Sequence, residues 1–595
     1  MCGIIAVLDQ NKKTSKAAVQ WGLNVLRHRG PDDNRVWQSP EDEITLGHAR
    51  LSIIDLSTGD QPIANEDRSL HVVVNGEFYD FERIRVDLEA RGHEFRTRSD
   101  SEIVLHLYEE FGFECLQYLR GEYSFVLWDD RNKTLFAARD RFGIKPLFYS
   151  ENNGRLSFAS EVKALHASGI EPAWDQEGFL QALTMGVDFD GGTLFRGIRS
   201  LLPAHYVVAK NGNISLHQYW QFDYPKEPIH EAFSGQEYAE QFRAVLDEAV
   251  RVRLRADVPV ACYLSGGIDS CSVLALAASH SGSPVRTFTL AFDHEDYDEA
   301  CIAEEMAKLV DADRTVIPVT QAGLAQDFSD AVWHAESLFV NAHGVAKFAL
   351  SRAVQNAGYK VVLTGEGSDE ILAGYPHFRM DMYRQCGGSG ATDVQQALVH
   401  SNPVSRGFLL PDGSVRVLPL FAERLGYVPA YIETRETIVQ KLSQAVSSSF
   451  QTDDVYTSLL DYLDVSNQMT GRHVLNQSLY LWNKTVLPGY ILTVLGDRME
   501  MSHSVEGRLP FLDHHVVEFT RTLPVTQKIH GTTEKFILRE ALKPMLPSAV
   551  YTREKHPFAT PPVLLNEDEP LYQILQDTLR GNALNRIPFL NKKAV

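Results

Sequence analysis

A cysteine at the second position, in Met1-Cys2-Gly3-Ile4-Ile5-Ala6-Val7, is the residue best suited to do chemistry. Removal of Met1 leaves Cys2 with a thiol and a free α-amine. The thiolate is a strong nucleophile, and the amine can act as its base, directly or through a water. Other segments offer what such a nucleophile needs. Asn75-Gly76 can turn a side-chain amide and a backbone N–H towards an oxyanion. Gly76 would let the backbone approach a substrate closely. Arg50, in Gly47-His48-Ala49-Arg50-Leu51, can grip a carboxylate bidentately. Glu77 and Asp100 can hold an ammonium group. One cation and two anions beside a nucleophile describe a pocket for a free α-amino acid. Each residue alone also fits a turn or a solvated charge, so the reading rests on their convergence.

A second set lies further along the chain. The apolar run Val258–Leu264 reads as a buried strand and leads into Ser265-Gly266-Gly267-Ile268-Asp269-Ser270, followed by an apolar helix to about Ser279. A strand, a Gly/Ser loop and a helix N-terminus together make an anion site. The loop has neither the G-x-x-x-x-G-K-[ST] nor the G-x-G-x-x-G pattern. Thr364-Gly365-Glu366-Gly367-Ser368-Asp369-Glu370 follows another strand, Lys360–Leu363. Three acidic side chains there are costly unless they meet a cation. Mg²⁺ bridging phosphates is the natural partner. A helix-capping turn accounts for Ser368 but not for the cluster.

The elements that position these residues divide the chain. Residues 1–210 read as β-rich, with a helix over Ser15–Leu26 stopped at Gly30-Pro31, and a strand Leu70–Val74 ending at Asn75-Gly76-Glu77. Glu122–Trp128 and Thr134–Ala138 flank a hairpin turn. Such alternation predicts stacked sheets. The Pro- and charge-rich stretch Gln221–Gln236 reads as a linker, with a helix from Tyr238 to about Leu254 beyond it. Strands Val285–Phe292 and Lys360–Leu363 alternate with helices and predict a parallel sheet with ligands at the strand C-termini. The domain reading is 1–215, a linker at 216–236, and 237–595. Residues 385–480 form a long, mostly helical stretch with Gly387-Gly388-Ser389-Gly390 and a loop at Pro403–Pro419, and carry none of the motifs.

Composition narrows the classes. The chain has 595 residues, 44% of them hydrophobic, enough for large cores. A formal net charge of −21 without basic runs argues against nucleic-acid binding. Six cysteines (Cys2, Cys115, Cys262, Cys271, Cys301 and Cys386) form no C-x-x-C pair, which fits a reducing cytosol and a cytoplasmic location. No apolar run is long enough to span a membrane, and the N-terminus lacks the pattern of a signal peptide.

Met1-Cys2-Gly3-Ile4, Arg27-His28-Arg29-Gly30-Pro31-Asp32, His48-Ala49-Arg50-Leu51-Ser52-Ile53, Val74-Asn75-Gly76-Glu77 and Ala138-Arg139-Asp140-Arg141-Phe142-Gly143-Ile144-Lys145-Pro146-Leu147 resemble the class II, N-terminal-nucleophile glutamine amidotransferases. Ser-Gly-Gly-x-Asp-Ser resembles the pyrophosphate loop of the ATP pyrophosphatases. The pair in this order resembles the glutamine-hydrolysing asparagine synthetases, with further matching segments Asp497–Asp513 and Glu534–Glu540. The resemblance implies an αββα sandwich followed by a parallel-sheet ATP-pyrophosphatase domain with added helices. It implies Cys2 as nucleophile, Asn75 and Gly76 as oxyanion hole, and Arg50, Glu77 and Asp100 as glutamine clamp. It further implies ATP held by Ser265, Gly267, Asp269, Ser270, Leu290, Thr364 and Gly365, and Mg²⁺ on Asp269 and Asp369. Glu366 would assist acyl-adenylate formation and its attack by ammonia, and Lys535 would neutralise phosphate charge. Ammonia would pass through a tunnel from one site to the other.

The implied substrates are glutamine, ATP and aspartate, or another small carboxylate, since members of this form also amidate other carboxylates. The reading leaves room for a homodimer. A silent regulatory homologue is disfavoured because both sets of residues are complete. A sugar-phosphate aminotransferase would lack Ser265–Ser270, and a β-lactam-forming synthetase would not need the Cys2 set.

Overall fold

The computed structural model describes residues 2–9, 13–226, 232–294, 297–385, 418–442, 452–554, 560–561 and 567–591. In chain order the strands that build the three larger sheets are β1 (Gly3–Asp9), β2 (Asp33–Gln38), β3 (Ile44–Arg50), β4 (Ile63–Ala64), β5 (Leu70–Tyr79), β6 (Arg120–Asp129), β7 (Thr134–Arg139), β8 (Phe148–Asn152), β9 (Arg155–Ala159), β10 (Arg199–Ser200), β11 (His205–Lys210), β12 (Asn213–Gln218), β13 (Val260–Tyr263), β14 (Arg286–Phe292), β15 (Asp313–Val319), β16 (Val361–Leu363) and β17 (Glu506–Arg508).

Alternation along β1 explains the first layers, because successive side chains of a strand leave opposite faces. Ile5 and Val7 meet Val19 and Leu23 of the helix Lys16–Val25 and Leu165 of the helix Val162–Ala167. Ile4, Ala6 and Leu8 meet Val73, Val126, Trp128 and Ala137 of a second sheet. The far face of that sheet, with Val72, Val74, Phe125 and Leu127, packs on Ile84, Leu88, Val104 and Leu107 of the helices Phe81–Ala90 and Ile103–Phe111. The result is the expected four-layer αββα sandwich. Its sheets run β10-β8-β9-β1-β3-β2 and β12-β11-β7-β6-β5-β4.

The third sheet runs β15-β14-β13-β16-β17, and its pairings are all parallel. Strand order reverses between β13 and β16. In open parallel sheets ligands bind outside the carboxyl ends of the strands at such a switch point. The Ser265 loop follows β13 and the Thr364 loop follows β16, so both open there.

Two expectations need amendment. Strand β5 does not stop at Val74 but continues to Tyr79, with Asn75 opposite Ser124 and Gly76 opposite Tyr123. An Asn-Gly pair reads as a turn, yet pairing along the whole of β6 overrides it. The Gln221–Gln236 stretch buries Phe222 and Tyr224 in the larger core, and its helix begins at Gly235 behind a Ser234–Glu237 capping box. In the 385–480 stretch, helices cover Pro419–Leu425, Ala430–Leu442, Thr452–Tyr462 and Val474–Lys484. The Gly387–Gly390 run and nearly all of the Pro403–Pro419 loop lie outside the described residues. Among the described residues, no helix is long and apolar enough to cross a membrane.

Candidate functional site

The first site forms where β1 of one sheet faces β5 of the other. The Cys2 backbone N–H donates to Asn75 Oδ1 at 3.0 Å, which fixes the amide of Asn75 beside Cys2. The other end of that amide, Nδ2, is buried with no hydrogen-bond partner among the described residues. A buried donor without an acceptor costs about 1–3 kcal/mol, so it awaits an acceptor in the pocket. Gly76 has φ +149°, and a Cβ there would lie 2.1 Å from the Glu122 carbonyl oxygen. The close approach that demands glycine is therefore to strand β6, not to a substrate. Burial pushes the Cys2 thiol up; the N-terminal ammonium, the Leu51 backbone N–H and Arg50 pull it back, and Glu506 opposes them. Arg50 is buried and held by Asp60 Oδ1 at 2.6 Å and the Asp55 carbonyl at 2.5 Å.

Glu77 and Asp100 are both buried. Burial, and then the neighbouring Asp100, push Glu77 well above the carboxylate range, with Arg508 at 3.2 Å only partly compensating. Burial pushes Asp100 up to about 6, although the Phe78 backbone N–H donates to it at 2.8 Å. Two raised carboxylates side by side form a site short of one cation.

The second site is built at the switch point of the parallel sheet. Ser265 and Ser270 tie the first loop together: the Ser265 N–H donates to Ser270 Oγ at 3.1 Å, and the Ser270 hydroxyl donates to the Gly267 carbonyl at 3.1 Å. The helix Ile268–His280 begins directly behind, with its N-terminal N–H groups open towards the loop. A Cβ at Gly365 would lie 2.8 Å from the backbone of Asp269 and Ser270, so glycine there lets the two loops pack at backbone distance. Leu290 stands half-buried on the adjacent β14, and the Thr364 hydroxyl accepts the Glu366 N–H at 3.1 Å.

The acidic cluster meets cations of the chain itself. Lys535 Nζ lies 2.6 and 2.7 Å from the two oxygens of Asp269 and 2.6 Å from Asp369 Oδ1. Lys535 is wholly buried, with φ +52° at the start of the helix Phe536–Leu542. Left-handed backbone at a non-glycine residue is strained and concentrates at functional sites. Glu366 pairs with Lys347, a buried residue of the helix His343–Asn356. Burial, and then Asp369, push Glu370 up to about 7. Asp269 and Asp369 are hard oxygen donors already held around one cation, and that donor set fits Mg²⁺.

One segment touches both sites. Arg29 Nε donates to the Cys2 carbonyl at 3.0 Å, and its guanidinium grips Asp497 bidentately at 2.7 and 2.9 Å. Asp497 ends the π-helical segment Leu487–Asp497, and the preceding residue, Gly496, packs against Glu366, whose Oε2 would lie 3.5 Å from a Cβ there. On the other side, Glu506 and Arg508 of β17 border the Cys2 pocket, while the Arg508 carbonyl accepts the Thr364 N–H at 3.0 Å. Burial disfavours the charge of Glu506, yet the N-terminal ammonium first, and then Arg508 and Lys145, hold it down at about 2. The sequence alone assigns no role to Arg29, Lys347, Asp497, Glu506 or Arg508. Arg29 and Asp497 are 468 positions apart, and no local pattern marks such a pair.

Residues 241–595 match the asparagine synthase family, and residues 1–220 match the glutamine amidotransferase domain. The chain is similar to Amidase chyE of Penicillium rubens, 37% identical across 94% of this chain and 89% of that protein. It is similar to Amidase chry2 of Gibberella zeae, 34% identical with the same coverage. Asparagine synthetase [glutamine-hydrolyzing] 3 of Bacillus subtilis is 30% identical across 94% of this chain and 87% of that protein.

Proposed function

This chain belongs to the glutamine-hydrolysing asparagine synthetase family, and on that premise we propose that it joins ammonia released from glutamine to an ATP-activated carboxylate. Cys2, freed of Met1, attacks the glutamine side-chain carbonyl carbon. The raised thiol gives up its proton as the bond forms, with the α-amine of the same residue as base. The oxyanion takes the open Asn75 Nδ2 and the Gly76 N–H as donors. Ammonia leaves, and water then cleaves the thioester to glutamate. The glutamine α-ammonium supplies the cation that Glu77 and Asp100 lack, and Arg50 holds the α-carboxylate.

In the second site the Ser265–Ser270 loop and the helix behind it hold the pyrophosphate part of ATP, with Leu290, Thr364 and Gly365 beside the nucleoside. Mg²⁺ on Asp269 and Asp369 would screen the phosphates when bound. The acceptor carboxylate displaces pyrophosphate from the α-phosphorus, and Lys535 turns to the transferring charge. Ammonia then attacks the acyl carbon, AMP leaves, and Glu366 takes the proton that the new amide releases. The domain division proposed with it is 1–215 and 237–595, joined by 216–236, a stretch that finishes β12 and packs Phe222 and Tyr224 into the larger core. The observation that carries this reading is the segment ending at Gly496-Asp497, with one residue against Glu366 and the next on the arginine that holds Cys2. It supports passage of ammonia between the sites.

The acceptor separates two readings. L-Aspartate is the acceptor if the chain acts as the Bacillus subtilis relative is named. The amidases at 37 and 34% identity, against 30% for that relative, favour a different carboxylate and a specialised biosynthetic role. Purified protein given ATP, Mg²⁺ and glutamine with a panel of carboxylates, and assayed for amide product and AMP by mass spectrometry, distinguishes them. Asparagine formation establishes the first. Amide formation only from another acid establishes the second. AMP release from no acid overturns the proposal.

A further inference from the structure

Away from both sites, four side chains of the sandwich converge on one point: Glu66, His93, His106 and Glu109. We propose that they form a structural site for a divalent transition-metal cation, Zn²⁺ being the best match. His93 Nδ1 lies 3.8 Å from Glu66 Oε1 and 3.5 Å from Glu109 Oε2. His106 Nδ1 lies 3.6 Å from Glu66 Oε2 and 3.1 Å from Glu109 Oε2. Tetrahedral zinc with bonds of about 2.0–2.2 Å sets its ligand atoms roughly 3.3–3.6 Å apart. The observed separations bracket that value. Two imidazoles and two carboxylates are ligands zinc accepts, and their two negative charges match its two positive ones.

Three elements bring the group together. Glu66 stands in the turn between β4 and β5, and His106 and Glu109 are three apart on one face of the helix Ile103–Phe111. His93 is set by the end of the helix Phe81–Ala90. There the Gly92 N–H bonds the Glu89 carbonyl and the His93 N–H bonds the Leu88 carbonyl, a Schellman closure that Gly92 permits with φ +101°. The outer atoms of two of the four side chains are already hydrogen-bonded, as in metal sites whose ligands are oriented from behind, and a third faces a buried carboxylate. His93 Nε2 meets Glu110 at 3.1 Å, His106 Nε2 faces the wholly buried Glu102 at 3.7 Å, and Glu109 Oε1 accepts from Asn65 Nδ2 at 2.9 Å. Glu102 also accepts the N–H groups of Arg96 and Thr97 at 2.7 Å each. A metal here would tie down the 93–102 loop that carries Asp100.

The test uses the full chain carrying Cys2→Ala, so that the amino-terminal thiol cannot bind zinc. Isothermal titration with Zn²⁺ is expected to give one stoichiometric site. His93→Gln and Glu66→Gln, both at partly exposed positions, are expected to weaken binding at least about tenfold. Zn²⁺ should raise Tm in the parent but not in these variants. His515→Gln, in a separate Asp513–His514–His515 group, should bind as the parent does. Absence of stoichiometric binding, or undiminished affinity in both ligand variants, overturns the proposal, the four groups then being an ion-pair network only. Loss confined to His515→Gln also overturns it.

Discussion

The two candidate sites treat buried negative charge in opposite ways. In the Cys2 pocket, Glu77 and Asp100 lie together with Arg508 on one side, and both carboxyls are pushed up. In the switch-point pocket, Asp269 and Asp369 share the ammonium of Lys535, and Glu366 has Lys347. The first leaves a place for a cation that the guest brings. The second keeps cations of its own within reach of an anionic guest. Unpaired buried carboxylates are costly, so each arrangement points to the charge of its ligand. An α-amino acid suits the first pocket and a nucleotide triphosphate the second.

The contrast is broken most severely at the nucleophile. Cys2→Ala is predicted to reduce glutamine-dependent amidation to background while ammonia-driven amidation persists, because in the proposed mechanism the thiol serves only ammonia release. Glutaminase activity surviving in that variant removes Cys2 from the reaction. Lys535→Met is predicted to do the reverse. Ammonia-driven synthesis should fall about 10²–10³-fold, the scale for losing one electrostatic donor to a transition state, while glutamine hydrolysis continues. Equal loss of both activities, with a lowered Tm, would make Lys535 a structural cation.

Two smaller effects sharpen the first pocket. Arg50→Ala is predicted to raise the glutamine KM by about 1.5–3 kcal/mol, the worth of charge-assisted hydrogen bonds, leaving the ammonia reaction unchanged. Because Arg50 also bonds Asp60 and the Asp55 carbonyl, a parallel loss of ammonia-driven activity would mark it as a support for that turn. The pH profile carries the smallest effect. Asp100 sits at about 6, raised by burial, and must be ionised to hold an ammonium. kcat/KM for glutamine should therefore fall as pH drops through about 6, since this quantity reports groups of the free enzyme. A flat profile from pH 5 to 7 would remove Asp100 from the clamp.

Legibility in the sequence follows the range of the interactions. Ser265–Ser270 is contiguous, and its strand, loop and helix are legible as an anion site from residue order alone. Stacked sheets are legible in the succession of apolar strands such as Ile4–Leu8, whereas the αββα layering is what the family resemblance implies. The course of β5 through Asn75-Gly76 is hidden, because local turn preference yields to ladder pairing with β6. The reason for glycine at 76 is hidden too, since it lies in the Glu122 carbonyl on that neighbouring strand. Charges brought in from distant elements are harder still. Lys347 lies in an ordinary helix, and Arg29 meets Asp497 from the far end of the chain. Such pairs are written in the tertiary fold and leave no spacing to read.

The central claim is that the two pockets act in sequence through the contacts at Gly496 and Asp497. Glutamine carrying heavy nitrogen in its side-chain amide, supplied with ATP, Mg²⁺, the acceptor acid and an equal concentration of unlabelled ammonium, tests it directly. The account predicts an amide product enriched in the heavy isotope well beyond the ratio in solution, and unlabelled product alone from Cys2→Ala. A wild-type product at the isotope ratio of the surrounding ammonium would contradict it.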